Sequence, residues 1–558
     1  MGIPLYFKRI YEDYPEIIVN HITGTNNLFL DLNCAIHPCC QNILKNYNEN
    51  AINKNNLEKK MINETINYMQ VLIKTTNPHL IYIAIDGVAP CAKMNQQRLR
   101  RYKTILDKKI EHDIKTDLKM PLEGNSWDKN AISPGTSFMN KLTEKIRTFF
   151  TEYSQSNTNV KIIFSSSYIP GEGEHKILQY IKTNNVNGNI IIYGLDADLI
   201  MLSMSSKCSN IFLLREAIEF GKKVDNKLLY LDIDLLKSKL ITTLRIKIHD
   251  KENGLYLNNI DSLKMIDDYI FLCFLLGNDF LPHNLSIDLR HNGHDLLLDS
   301  YLDNYLISRE FLVDAKKLKI NNRFLYALFK IMCANEDNIL IKIQNKRNKF
   351  RMFHNNCENE FERRMNVISN SPIVNNSEER KVNFSKKYWR TRYYKQCLNI
   401  EDSEEIDELC HNYLEGLKWT FLYYFDSCPS WDWKYEYLHP PTLKDLTNYL
   451  LDNDINKIRL QKGKPSHPIV QLLSILPSQS NDLLPYNYRK LMHKNSNIGM
   501  YYPKSYVLDT FLKRYHWMCP PVLPNINIKT INNAFRKVSM DKETKQMFTN
   551  NSKIIELN

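Results

Sequence analysis

The sequence has no cysteine pair, no apolar run of membrane length, no internal repeat and no leader-like start, and each absence removes a class of protein. Its twelve cysteines are scattered, without a CxxC pair or a Cys/His spacing suited to zinc. Cys39 and Cys40 are adjacent and cannot readily bridge, so all twelve read as reduced thiols of an intracellular protein. No stretch of about 18 apolar residues exists, which excludes a transmembrane helix. The start, MGIPLYFKRIYEDYP, introduces charge too early for a signal peptide, and Tyr6 stands where a myristoylation motif wants Ser or Thr. What remains is a chain of 558 residues with 43% hydrophobic content, enough for a sizeable core and for two or three domains or one large domain with a supporting lobe. A formal net charge of +12 favours acidic partners, nucleic acid first, although the excess is modest for this length.

The first three hundred residues alternate between short apolar runs and helical patterns. Asn27–Leu32, Leu80–Asp86, Val160–Ser165 and Asn189–Asp196 read as buried strands, each rich in β-branched or aromatic side chains. Helices are predicted between them at Leu57–Thr75, Ala92–Lys109, Phe138–Tyr153 and Glu174–Lys182. Strand–helix–strand alternation argues for a parallel sheet covered on both faces. A core over 1–344 is followed by a Ser/Asn-rich, loop-rich linker over 345–384 and a helical lobe over 385–558. That lobe is dense in aromatics, and Trp419, Trp431 and Trp433 read as core.

Several strands end in carboxylates. Asp31 closes the first and Asp86 the second; Asp196 and Asp198 follow the fourth; Glu172 and Glu174 lie in PGEGEH; Asp279 lies in LLGNDFLPH. In an open α/β sheet the carboxyl ends of the strands share the edge where ligands bind. Acids gathered there repel, by roughly 1 kcal/mol per pair at 4 Å in water and about 4 at an effective dielectric of 20. Divalent cations relieve that repulsion, and oxygen donors suit Mg²⁺ or Mn²⁺. Two such ions about 4 Å apart activate a water and stabilise the leaving oxygen of a phosphodiester.

A basic helix follows Asp86. On a helical wheel Lys93, Gln97, Arg100 and Arg101 share an arc of about 100°. Arginine offers paired donors to a phosphate and lysine a point charge, so the face suits a terminal phosphate. A solvated basic face or a general contact to a nucleic-acid backbone fits the same spacing.

The motifs LDLNCAIHP, AIDGVAPCAKMNQQRLRRYK, SPGTSFM, PGEGEHKI, YGLDADLIML and FLCFLLGNDFLPH resemble those of the Xrn family of 5′→3′ exoribonucleases, in the same order and at similar spacing. The second lobe resembles it too, through YLEGLKWTFLYYFDSCPSWDW and PIVQLLSILPSQSNDLLP. The resemblance implies a PIN/flap-endonuclease-like α/β nuclease core with a mainly helical second lobe closing over the site. It implies that Asp31, Asp86, Glu172, Glu174, Asp196, Asp198 and Asp279 surround two divalent ions, Mg²⁺ or Mn²⁺. It further implies a 5′-monophosphate pocket from Lys93, Gln97, Arg100 and Arg101, and base stacking on His37 and Trp517.

The expected activity is processive hydrolysis of 5′-monophosphorylated single-stranded RNA to nucleoside 5′-monophosphates, in RNA decay. A decapping enzyme is the expected protein partner, the monomer the expected state and the cytoplasm the expected compartment. The rivals are a flap-type endonuclease and a catalytically silent RNA-binding scaffold. Two departures stand out: Cys34 and Ala35 replace the small residues usual after the first acid, and Cys91 stands where the family commonly has Arg. The long C-terminal extension of the cytoplasmic branch and the zinc knuckle of some nuclear members have no counterpart in the sequence.

Overall fold

The short apolar runs become the centre of one sheet. The structure, a computed structural model, describes residues 6–45, 53–122, 127–194, 196–219, 222–251, 261–350, 352, 357–550 and 553–557. Residues 1–5, which open the N-terminal reading, and Arg351 lie outside these. Ten strands occur among the described residues. They are β1 (Ile18–Val19), β2 (Asn26–Asp31), β3 (Pro78–Ala84), β4 (Lys161–Ser165), β5 (Asn189–Tyr193), β6 (Ile211–Glu219), β7 (Lys222–Asp232), β8 (Val313–Asp314), β9 (Lys319–Ile320) and β10 (Ile555–Leu557). Eight form one sheet, in the order β1-β7-β6-β5-β2-β3-β4-β10.

The five strands from β6 to β4 in that order are parallel, and β1, β7 and β10 add antiparallel edges. The fold is therefore α/β with a mixed sheet, where the alternation in sequence predicts a purely parallel one. The β6–β7 hairpin escapes that reading because KKVDNKLLYLD interleaves charge with apolar residues. β10 escapes it because three residues carry no periodicity.

Alternation along the central strands sorts the core into two layers. Phe29, Tyr82, Ile163 and Ile192 face a cluster that continues through Phe271, Phe280, Leu417 and Trp419 into the second lobe. Leu30, Ile83, Phe164 and Ile191 face the helices Lys54–Thr76 and Ser137–Ser156. The first of these helices is closed by signals readable in the sequence. Asn53 accepts from Asn56 N at its start, and Asn77 takes the left-handed conformation (φ 43°) at its end.

The stretch read as a loop-rich linker is largely helical. The helices Glu360–Val374 and Ser377–Val382 lie within 345–384, and Glu336–Asn348 runs into it. Asn359 caps the first, accepting from Glu362 N at 2.9 Å, with Glu360 and Glu362 in its first turn. Its Ser and Asn side chains bond back to their own helix, as in Asn370 Nδ2 to Asn366 O (3.0 Å) and Ser371 Oγ to Ile368 O (2.8 Å). Composition read as loop is here absorbed by local hydrogen bonds.

The second lobe grips the basic helix, Cys91–Asp117. Met94 and Val88 join a core of Ile469, Leu472, Leu476 and Tyr502. Buried Arg98 donates to Tyr501 O (2.6 Å) and Pro524 O (3.0 Å), and Cys91 N donates to Trp431 O (2.9 Å). Trp419 stacks on Trp433 with ring centroids 5.4 Å apart, so both are core, while Trp431 is half-buried.

Candidate active site

Parallel pairing brings the acid-bearing strand ends to one edge. β2 ends on Asp31, β3 stops two residues before Asp86, and β5 leads to Asp196 and to Asp198 at the start of the helix Asp198–Ser205. Beyond β4, a turn carries Glu172 and Glu174 to the mouth of the helix Gly173–Thr183. Gly87 N donates to Gly171 O and Gly171 N to Val88 O, both at 2.9 Å, clasping this turn to the end of β3. A side chain at Gly87 would meet Ile169 O at 1.8 Å, and one at Gly173 would meet Asp31 Oδ1 at 2.6 Å. Backbone approaches this close admit only glycine.

Hydrogen bonds fix the individual acids. Asp86 accepts from Gly173 N (2.7 Å) and Asn33 Nδ2 (2.9 Å), and its own N–H donates to Asn33 Oδ1 (3.0 Å). Glu172 accepts from Tyr423 OH of the second lobe at 2.8 Å. Cys34 Sγ reaches Asp31 Oδ2 at 3.2 Å. Lys93 stands among the acids with its side chain 14% exposed, 2.5 Å from Glu172 Oε2 and 2.9 Å from Asp279 Oδ2.

The electrostatics follow from burial. Desolvation, with Asp86 nearby, pushes Asp31 well above the usual carboxylate range. Glu174 is likewise raised by burial and by Glu172 and Asp198, against the pull of Lys93. Burial and Asp279 bring Asp198 up to about 7. Asp279 goes the other way: burial would raise it, but the charge and hydrogen bond of Lys93 together with Arg100 bring it below the usual carboxylate range. Lys93, despite burial, is held charged by Asp279 and Glu172. Asp196 is exposed but lies within electrostatic reach of Asp31, Glu174 and Asp198.

All seven acids therefore share one field. Oδ1 of Asp31 is buried without a hydrogen-bond partner among the described residues. Donor atoms of Glu172, Glu174 and His175 lie within 4.8 Å of one another. A hard divalent cation fits such an oxygen-rich, mutually repelling set.

The basic face divides. Lys93 faces the carboxylates, and Gln97 Oε1 lies 3.5 Å from Gln471 Nε2. Arg101 is held by Asn130 Oδ1 (3.1 Å) and Ser133 Oγ (2.8 Å), while Arg100 is exposed. Arg100 lies within electrostatic reach of both Asp279 and His37. His37 is reachable by solvent yet closely surrounded by protein. Desolvation, with Arg100, Arg101 and Lys129, lowers its pKa to about 4. Trp517 is 60% exposed and stacks on Tyr515, farther along the basic helix beside Lys103 and His516.

Two family models match. The XRN 5′-3′ exonuclease N-terminus matches residues 1–217, and the Xrn1 helical domain matches 259–387 and 372–557. The chain belongs to the Xrn family of 5′-3′ exonucleases. It is 29% identical to 5′-3′ exoribonuclease 1 of Saccharomyces cerevisiae, across 98% of this chain and 44% of the yeast protein. Against 5′-3′ exoribonuclease 1 of Homo sapiens the identity is 29%, across 98% of this chain and 35% of the human protein. Against 5′-3′ exoribonuclease 2 of Arabidopsis thaliana it is 27%, across 99% of this chain and 69% of that protein. This Xrn chain thus spans less than half the length of the two exoribonuclease 1 relatives.

Several residues of this Xrn site go unmarked when the motifs are read for acids alone. Asn33 orients Asp86. Lys176, buried behind the cluster, donates to Ile85 O (2.7 Å) and Ser166 O (3.0 Å), and burial brings its pKa down to about 7. His175 packs on Tyr423 with ring centroids 3.7 Å apart. Asn33, His175 and Lys176 lie inside LDLN and PGEGEHKI, so position in a motif was the available signal. Tyr423 had none, being one aromatic in a run of several.

Proposed function

We propose that this chain is a processive, metal-dependent 5′→3′ exoribonuclease that hydrolyses 5′-monophosphorylated single-stranded RNA to nucleoside 5′-monophosphates. The observation that carries the reading is the convergence of seven carboxylates on one sheet edge, with Lys93 in their midst and Arg100 at their border. Asp31, Asp86, Glu172, Glu174, Asp196, Asp198 and Asp279 hold two divalent ions, Mg²⁺ or Mn²⁺. Those ions supply an activated water and charge relief at the leaving oxygen. Lys93 turns from Glu172 and Asp279 toward the terminal phosphate once its anionic partners are neutralised. Arg101, fixed by Asn130 and Ser133, presents its guanidinium in one orientation, and Gln97 and Arg100 complete the pocket.

His37, neutral at physiological pH, stacks on a base near the 5′ end, with Trp517 as a second aromatic contact. The second lobe anchors the basic helix and Glu172, so the pocket is closed behind and RNA enters by a free end. A decapping enzyme is the upstream partner that creates the monophosphate. The chain acts as a monomer, in the cytoplasm. Among the described residues no helix is long and apolar enough to cross a membrane.

Linear and circular forms of one RNA, incubated with the chain in Mg²⁺, test the reading. The linear 5′-monophosphate form is expected to yield mononucleotides while the circle stays intact. A circle cut as fast as the linear form would make the protein an endonuclease.

A further inference from the structure

The loop that carries Asp279 has a second side. Leu276 and His283, which bracket it, line a groove of about 520 Å³. The opposite wall comes from the end of the helix Glu336–Asn348 and from the segment Leu512–Met518 of the second lobe. Its cationic residues include Arg290, Lys346, Lys349, Lys513 and Arg514; among the described residues none of these five has a carboxylate within 4 Å. Two other charged groups of the groove are already engaged: Arg347 by buried Glu379 at 2.6 Å, and Asp288 by His291 Nδ1 at 2.8 Å.

The cations are interleaved with rings. The Arg514 guanidinium lies 4.9 Å from the Phe350 ring centroid and 5.1 Å from that of Tyr515. Arg290 approaches the same Tyr515 ring at 6.0 Å, and Trp517 stacks on Tyr515 at 6.2 Å with an interplanar angle of 14°. Lys346 and Lys349 are exposed, and none of the five cations is neutralised by a nearby carboxylate among the described residues. A polyanion with flat bases gains from every element: phosphates meet the cations and bases stack on the rings.

Two chain elements link the groove to the candidate active site. One is the Asp279 loop. The other is the basic helix, where Lys103, one turn beyond Arg100, lies 3.1 Å from Nδ1 of His516, within the wall segment itself.

We infer that this groove is a second subsite for single-stranded RNA, which holds the strand on its way to the carboxylate centre through Arg290, Lys346, Lys349, Phe350, Arg514 and Tyr515. The inference rests on the exoribonuclease reading for the direction of the strand, but not for the binding itself. Its consequence is affinity that depends on RNA length: a short 5′ fragment fills only the centre, and a longer strand also engages the groove.

The test is fluorescence anisotropy of the full chain in EDTA, with 3′-labelled 5′-monophosphate RNAs of about 4 and about 20 nucleotides. Wild-type protein is expected to prefer the longer RNA by about tenfold or more. The double variants Lys346→Glu/Lys349→Glu and Arg514→Ala/Tyr515→Ala are each expected to reduce that preference by about tenfold, and the lysine pair to lower the salt slope by about 1 to 2. The lysines are exposed, so their replacement keeps the test valid if the Arg514/Tyr515 pair impairs folding. A wild type without length preference overturns the inference, as does a preference that survives Lys346→Glu/Lys349→Glu. Release of mononucleotides in Mg²⁺ is followed in parallel. Groove-dependent binding without turnover upholds the subsite and removes the exonuclease reading alone.

Discussion

The carboxylate edge and the basic helix meet at Lys93, yet they are assembled in opposite ways. The edge is drawn from distant parts of the chain, Asp31 to Asp279: parallel register aligns the strand ends that carry Asp31, Asp86, Asp196 and Asp198, while a turn beyond β4 and the loop after the helix Ser262–Phe274 add Glu172, Glu174 and Asp279. The basic face lies within nine consecutive residues of one helix, but its members go to different partners. Apart from exposed Asp196, the edge is largely buried, so its energetics are dominated by desolvation and mutual repulsion. The helix face is half open, so its energetics are those of exposed charge. Removing one of the raised acids, Asp31, Glu174 or Asp198, gains stability and loses chemistry. Removing an exposed member of the helix face, Arg100, loses affinity with little change in stability, whereas Lys93 and Arg101 are tied into the fold.

The largest effect is expected from the edge. Asp31→Asn or Glu174→Gln should reduce turnover by about 10³-fold, the scale of removing one preorganised charge-stabilising group. In EDTA the same variants should melt no lower than wild type, because a buried carboxylate held above its usual pKa is a destabilising group. A clear fall in melting temperature would show that these acids are structural.

Next comes the junction. Lys93→Met leaves Glu172 and Asp279 without their cation and should cost about 3 kcal/mol in metal-free protein. Chemical denaturation with and without Mg²⁺ checks this, since added Mg²⁺ should restore most of the loss. Equal destabilisation in both conditions would mean that the metal does not bind between those acids.

The edge also carries a pH signature. The folded-state pKa of Asp198 is raised to about 7, so between its unfolded value and about 7 the folded protein binds the extra proton. Stability in EDTA should therefore fall as pH rises through that window. The Asp198→Asn protein should lack this part of the slope, and thermal melts from about pH 4 to 7 compare the two. The smallest effect belongs to the helix face. Arg100→Ala should raise KM for 5′-monophosphate RNA about tenfold, the worth of one charged hydrogen bond. Its melting temperature should not change, whereas Arg101→Ala should lower it, because Arg101 holds Asn130 and Ser133.

The two regions were not equally legible. The acids could be found because strands in a parallel sheet end on one edge, so Asp31, Asp86, Asp196 and Asp198 needed only correct strand assignments. Spacing on a helical wheel put Lys93 beside Arg100 and Arg101, but a wheel gives direction and not partners. That Lys93 points into the acids depends on Glu172 and Asp279, 79 and 186 residues away in the chain. The β10 strand at the far edge of the sheet was illegible for the same reason: its pairing with β4 is tertiary, and three residues leave no period. The helix Glu360–Val374 was hidden by Ser and Asn residues that favour loops until their side chains find carbonyls of their own helix.

The central claim joins the metal-binding edge to a pocket for one kind of RNA end. One RNA carrying a 5′-monophosphate, 5′-triphosphate or 5′-hydroxyl, incubated in Mg²⁺ and in EDTA, tests both halves together. The account predicts that the monophosphate form alone is degraded rapidly, in Mg²⁺ only, to nucleoside 5′-monophosphates. Equal degradation of all three ends, or undiminished degradation in EDTA, would contradict it.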